Sequence, residues 1–175
     1  MTSWAVLGRR IAGYSPVDDA ISRLAATGAP DRNAMTAGLV AFGVGLPIYG
    51  VALRSALPGP AWICATTTGV ATLGVAAFPL GSPTRDAIHG LFAGIGYASL
   101  AATPLAAAGP LARLGSRHWA RSAVGAGAVS AVSLLATVAG PASGLFQRIG
   151  LTVTDAWVVA SAVEILRGKR SASFS

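Results

Sequence analysis

AMTAGLVAFGVGLPIYGVAL, residues 34–53, runs for 20 residues without one charged side chain. A membrane helix needs about 20 predominantly apolar residues at a rise of about 1.5 Å each. The stretch therefore reads as a transmembrane span. Four further stretches read the same way. Residues 60–80 are also uncharged, and 87–108 carry only His89 near their start. Residues 122–139 are rich in Ala, Gly and Ser, and 145–166 enclose Arg148, Asp155 and Glu164. Turn residues separate the spans: Pro58-Gly59-Pro60, Gly81-Ser82-Pro83, Gly109-Pro110 and Gly140-Pro141. Such residues stop helices. The connection from Gly109 to Arg121 reads as the longest. Short connections force antiparallel neighbours. The expected fold is all-α: a polytopic membrane helix bundle of five transmembrane helices, forming one domain over residues 1–175, with no internal repeat.

Composition agrees. Of 175 residues, 53% are hydrophobic and 11% charged, against about 25% charged in an ordinary soluble domain. Mean hydropathy is +0.62. A disordered chain needs the opposite balance. One cysteine, Cys64, excludes an intrachain disulfide and a cysteine-rich metal site. Two histidines and six acids leave little for a metal cage, so no metal and no cofactor is expected. The net charge of +7 comes without a basic stripe interleaved with aromatics, which argues against nucleic acid.

Arginine and lysine counts orient the bundle. With five spans, one side holds Arg54, Arg113, Arg117, Arg121, Arg167, Lys169 and Arg170. The other holds Arg9, Arg10, Arg23, Arg32 and Arg85, diluted by Asp18, Asp19, Asp31 and Asp86. The first side is expected to be cytoplasmic, which places the C-terminus inside a multi-pass cell-membrane protein. The margin widens if Arg9 and Arg10 lie on the inner side.

Residues 1–33 read as an interfacial and amphipathic region. Trp4 to Leu7 is apolar, but Arg9 and Arg10 interrupt it, and a cleavable signal needs a longer apolar core. A short interfacial or partly inserted segment fits better. Ser15 as N-cap, Pro16 in the first turn and Val17, Ala20, Ile21 and Leu24 at helical spacing predict an amphipathic helix that Gly28 ends.

Several of these motifs resemble a bacterial membrane family. They are Tyr14 to Leu24 (YSPVDDAISRL), Asp31 to Gly38 (DRNAMTAG), Phe78-Pro79, His89-Gly90, and Gly144 to Arg148 (GLFQR), in that order. The chain resembles domain-of-unknown-function family 998 over about residues 13–168. The resemblance implies a six-span membrane protein with both ends inside, and no particular reaction. This chain departs from that pattern at its start, where the first helix is reduced to Trp4 through Gly13. Either that span is shortened here or the native start lies upstream.

In an alternating bundle, the segment before span one and the starts of spans three and five share the extracytoplasmic face. A polar pocket there, roofed by the amphipathic segment, is the expected site. Its candidates are Asp18, Ser22, Arg32, Asp86, His89, Arg148 and Asp155. Asp155 lies ten residues after Leu145, about 15 Å along the helix. A carboxylate at that depth is costly and normally faces the bundle interior. Arg148, two turns earlier on the same face, could meet it or bracket a headgroup with it. The bland alternative is a structural hydrogen bond from Asp155. His89 could act as acid, base or ligand, or simply bond a carbonyl while Asp86 caps span three. Asp18 can serve as a cap, and Asp19 pairs with Arg23 at i,i+4. Glu164 is set to pair with Arg167, and His118 beside Trp119 to anchor at the interface. Ser22, His89 and Asp86 form no hydrolase triad, because no nucleophile elbow surrounds Ser22. Gly43, Gly45, Gly69, Gly74, Gly90, Gly94, Gly96, Gly125 and Gly127 read as packing positions, within the chain or in a homo-oligomer. Pro47 and Pro104 should kink their spans.

Three functions compete. The first is a non-enzymatic membrane protein binding a membrane lipid or a partner protein through the polar extracytoplasmic face. The second is a small intramembrane enzyme acting on a lipid or isoprenoid. The third is a transporter component, for which five or six spans without a repeat are few.

Overall fold

A computed structural model describes residues 3–172. Six α-helices follow in order: α1 (Ser3–Leu7), α2 (Arg32–Ala56), α3 (Ala61–Ala77), α4 (Pro83–Arg113), α5 (Arg117–Ala139) and α6 (Ser143–Ala172). Among the described residues there is no strand. Four helices, α2, α4, α5 and α6, are long and apolar enough to cross a membrane. The remaining predicted span, residues 60–80, is α3, apolar but only 17 residues long. That length is at the lower limit for crossing about 30 Å of hydrocarbon. The molecule is a transmembrane helix bundle.

Consecutive helices from α2 to α6 pack side by side, and α6 returns to touch α4 and α2. The outside of the bundle is apolar. Val51, Val132, Leu135 and Val159 are all more than half exposed, a surface that suits hydrocarbon rather than water. The inside uses small residues. A side chain at Gly69 of α3 would meet the Gly43 carbonyl at 2.6 Å, so α2 and α3 touch there backbone to backbone. Gly90 and Gly94 do not serve this way, because open space surrounds both. Hydroxyl groups tie the helices laterally: Tyr49 with Ser161 (2.8 Å), Thr68 to Ser99 (2.9 Å) and Ser130 to the Gly150 carbonyl (2.9 Å).

Two expectations change. The connection after span three is short, because α4 continues through Pro110 to Arg113 and α5 begins at Arg117. Burial of Ala107 and Pro110 between neighbouring helices outweighs the hydrogen bond that proline removes. Pro47 and Pro104 likewise lie inside unbroken helices.

The second change concerns the amphipathic segment. It starts as predicted: Ser15 Oγ accepts the Asp18 N–H (3.2 Å), and the Asp19 N–H bonds the Ser15 carbonyl (2.8 Å). No α-helix follows. Only Ile21–Ala25 form a 3₁₀ turn, with Ile21, Leu24 and Ala25 buried. The next four carbonyls have been taken by the start of α6. Pro16 and Asp19 accept from Arg148, Val17 from the Leu145 N–H, and Asp18 from the Ser143 hydroxyl. These bonds compete with the segment's own i→i+4 ladder.

Candidate functional site

The starts of α2, α4 and α6 and the ends of α3 and α5 lie at one end of the bundle, which the chain before α2 covers. Arg148 fastens this cover. Its side chain is 5% exposed. Nη1 donates to the carbonyls of Pro16 (2.7 Å), Asp19 (2.9 Å) and Gly144 (2.7 Å), and Nη2 donates to the Tyr14 hydroxyl. The guanidinium also lies over the rings of Trp4 (5.0 Å) and Tyr14 (5.6 Å), an arrangement that favours arginine over lysine. A side chain at Gly144 would strike the Asp19 backbone. The GLFQR motif is therefore a clamp, with its glycine admitting the loop and its arginine gripping it.

Gln147 completes the closure. Its Oε1 accepts the Ile21 N–H (2.7 Å), and its Nε2 donates to the Tyr97 hydroxyl of α4. Thr27 N–H bonds the Leu80 carbonyl (2.8 Å), which ties the cover to the turn before α4.

Beneath the cover is a cavity of about 70 Å³ between α2, α3, α4 and α6. Its walls are mostly apolar. Ser22, Thr68, Thr72, His89, Tyr97 and Gln147 supply the polar groups. His89 is 5% exposed, and its Nδ1 bonds the Phe78 carbonyl at 2.9 Å. A carbonyl only accepts, so Nδ1 carries the proton. Nε2 then holds the lone pair in the neutral ring. The space suits a few waters or the end of a chain.

Of the seven predicted site residues, the cavity gathers only Ser22 and His89. Asp18 is exposed and accepts from the Ser15 hydroxyl (2.8 Å). Asp86, in the first turn of α4, is exposed and accepts the Gly81 N–H (2.9 Å) of the preceding turn; it does not cap the helix, whose N-cap is Ser82. Arg32 opens α2, part-buried. Arg148 turns to the cover, away from Asp155. Asp155 is part-buried on α6 and has an interaction of its own. The groups missed by the sequence reading are Gln147, Tyr97 and Tyr14. Tyr97 was accessible, since 89, 93, 96, 97 and 100 fall on one helical face.

The family model described as a protein of unknown function, DUF998, matches residues 1–164. The chain belongs to that family. The motifs that carried the resemblance now have physical roles in this DUF998 chain. YSPVDDAISRL is the cover and GLFQR the clamp. His89 holds the carbonyl of Phe78, from the preceding motif. No curated protein and no solved structure matches the chain.

Outside the membrane, the electrostatics are local. Asp19 accepts the Ser15 N–H (2.8 Å) and pairs with Arg23. The Ser15 bond, then the Arg23 contact, hold its carboxyl below the usual carboxylate range. Burial pushes the Tyr14 phenol up, against the pull of Arg148. Arg10 lies 4.0 Å from Asp31. Arg10 thus stays at the covered end, and the charge margin between the two ends does not widen through it. Glu164 meets Arg167 at 3.9 Å. Among the described residues no group of His, Cys, Asp and Glu could hold a metal ion.

Proposed function

We propose that this is a non-enzymatic membrane protein that binds a lipid at its covered end, with one apolar chain entering the cavity and a polar group meeting His89. The observation that carries the reading is the position of His89. It is a buried imidazole whose Nδ1–H is spent on the Phe78 carbonyl and whose ring lines a mostly apolar cavity. A ligand hydroxyl or amide there can meet the second ring nitrogen. Apolar walls with a few convergent polar groups are the usual make-up of a ligand site. Arg148 contributes by holding the cover shut rather than by binding a headgroup.

The test is native mass spectrometry of the gently solubilised protein, wild type beside His89→Leu and Arg148→Ala. A defined lipid retained by wild type and lost in folded His89→Leu supports the reading. An unchanged lipid complement in that variant refutes it.

An intramembrane enzyme on a lipid or isoprenoid keeps one supporting observation. His89 and Ser22 line the same cavity, so a basic nitrogen and a hydroxyl share one space. Turnover of the retained lipid, abolished in His89→Gln, would favour that reading.

We also propose that the covered end faces outward and that the C-terminus is cytoplasmic in the cell membrane. The support is the uneven arginine and lysine count. Cysteines placed at Ser82 and Ser116 in a Cys64→Ala background should label from outside and inside respectively.

A further inference from the structure

The covering segment between Gly13 and Gly28 is built to move as one piece. Both glycines have left-handed backbone, with φ of +76° and +88°, and nothing lies within 4 Å of where a side chain would start. A residue with a side chain rarely holds that conformation. Both glycines line one surface hollow of about 390 Å³, so the two edges of the segment lie side by side. Just outside them, Arg10 lies 4.0 Å from Asp31. Residues 14–27 thus form a compact loop with a narrow neck. The loop also binds itself. The Ser15 N–H and hydroxyl donate to Asp19 and Asp18 (both 2.8 Å), Arg23 pairs with Asp19, and the Tyr14 hydroxyl donates to the Ala20 carbonyl (3.4 Å). Its polar ties to the bundle are concentrated. Ser143, Leu145, Gln147 and Arg148 hold it from the first turns of α6, and the Thr27 N–H bonds the Leu80 carbonyl.

The other walls of the cavity are helices locked to one another. α2 and α3 touch through Gly43 and Gly69, and the Phe92 ring of α4 presses on α3 at Gly74. Gln147 of α6 donates to Tyr97 of α4. At the seam of α2 and α6, Leu39 is buried in one cluster with Leu7, and Leu151 packs against it. Passage through any of these seams separates helices. Passage from above needs only the cover to swing, because Ile21 and Ser22 are the cavity's lining on that side. We propose that residues 14–27 are a hinged gate, turning at Gly13 and Gly28 and latched by the start of α6, and that a ligand reaches the cavity through it. Entry is from the headgroup region at the covered end, not sideways between helices. Opening uncovers Ile21, Leu24 and Ala25, which are buried when the gate is shut. Their burial and the latch together make the closed form the resting state. What passes the gate rests on the reading of the cavity as a lipid site. The gate itself is tested without any lipid.

The test is cysteine access in the full chain in detergent, in a Cys64→Ala background. Thr72→Cys places a thiol in the cavity wall. Thr103→Cys places a control thiol at a position 1% exposed, beyond the last lining residue of α4, Leu100. The probe is 2-sulfonatoethyl methanethiosulfonate, a charged reagent that does not cross hydrocarbon. Its rate at Thr72→Cys should rise about 30-fold with Arg148→Ala and by less with Arg148→Lys. Ser143→Ala, which removes one exposed bond to Asp18, should raise it about twofold. Across the series the rate should track hydrogen exchange at residues 14–27, while the rate at Thr103→Cys stays at its starting value. An unchanged rate at Thr72→Cys while exchange at 14–27 quickens overturns the proposal, because the cavity is then reached by another route. So does an equal rise at Thr103→Cys, which would mean that the whole bundle loosens. Arg148→Lys and Ser143→Ala are conservative and keep the test decisive if Arg148→Ala fails to fold. No lipid enters the measurement, so a gate can be found in a protein that retains none, and a missing gate leaves lipid retention to its own test.

Discussion

Arg148→Ala should open the cover without melting the bundle. Three backbone carbonyls and a phenol lose their donor together. Hydrogen bonds to a charged group contribute about 1.5–3 kcal/mol each. The bond to Gly144 stays within α6, so only those to Pro16, Asp19 and the Tyr14 hydroxyl, all part-buried, hold the cover. Taking each at half value gives about 2–4 kcal/mol. The buried guanidinium also carries a desolvation cost that the variant avoids. The net loss is about 2 kcal/mol, or on the order of 30-fold in the opening equilibrium. It falls on the cover because the far partners of these bonds belong to residues 14–19. Hydrogen–deuterium exchange reads this directly. Amides of residues 14–27 should exchange faster by that factor, while those of α2 and α5 stay within about threefold of wild type. Arg148→Lys should fall between the two, since an ammonium keeps the charge but loses the planar fork. If exchange at 14–27 is unchanged while a bound lipid is lost, Arg148 is a headgroup ligand and the clamp argument is wrong.

Two further outcomes follow from the geometry. Gly69→Ala places a methyl 2.6 Å from the Gly43 carbonyl and 2.8 Å from Pro47 Cγ. Neither neighbour can rotate away, so α2 and α3 must separate, at about 1–3 kcal/mol; the melting temperature should fall, whereas Gly94→Ala, which meets open space, should leave it unchanged. The Asp19 carboxyl is held below its ordinary value of 3.8, so its contribution is fully present above that value and is lost as pH falls through the lower, folded one. Opening of residues 14–27, corrected for intrinsic exchange, should therefore rise only below about pH 4, and Asp19→Asn should flatten that rise; a rise centred near neutrality in wild type would contradict it.

The long helices were readable because hydropathy acts residue by residue. Nothing beyond residues 34–53 is needed to see that α2 spans, and the helix bounds differ from the sequence estimates by a few residues. The covering segment was not readable in the same way. Its apolar spacing and its capping serine are those of an amphipathic helix, and the first turn does form. In the helix's place, the carbonyls of residues 16–19 bond donors more than 120 residues away in the chain, in competition with the local ladder. Local propensity holds no information about that competition. The site was partly readable for a related reason. Buried charge attracts attention in a hydrophobic sequence, so Arg148 and Asp155 stood out. Gln147 and Tyr97 are neutral, yet they close the cavity wall together.

The two ends of the bundle differ in how their polar groups are used, and that difference bears on function. At the covered end Arg148 spends both terminal nitrogens on the cover and on its own helix, so the proposed lipid would meet mainly neutral groups there, His89 among them. At the opposite end Arg113, Arg117 and Arg121 are exposed and pair with no carboxylate among the described residues. The fold thus spends its buried cation on closing one end and leaves the arginines of the other to solvent or headgroups, which is why the two ends should respond differently to removal of a positive charge.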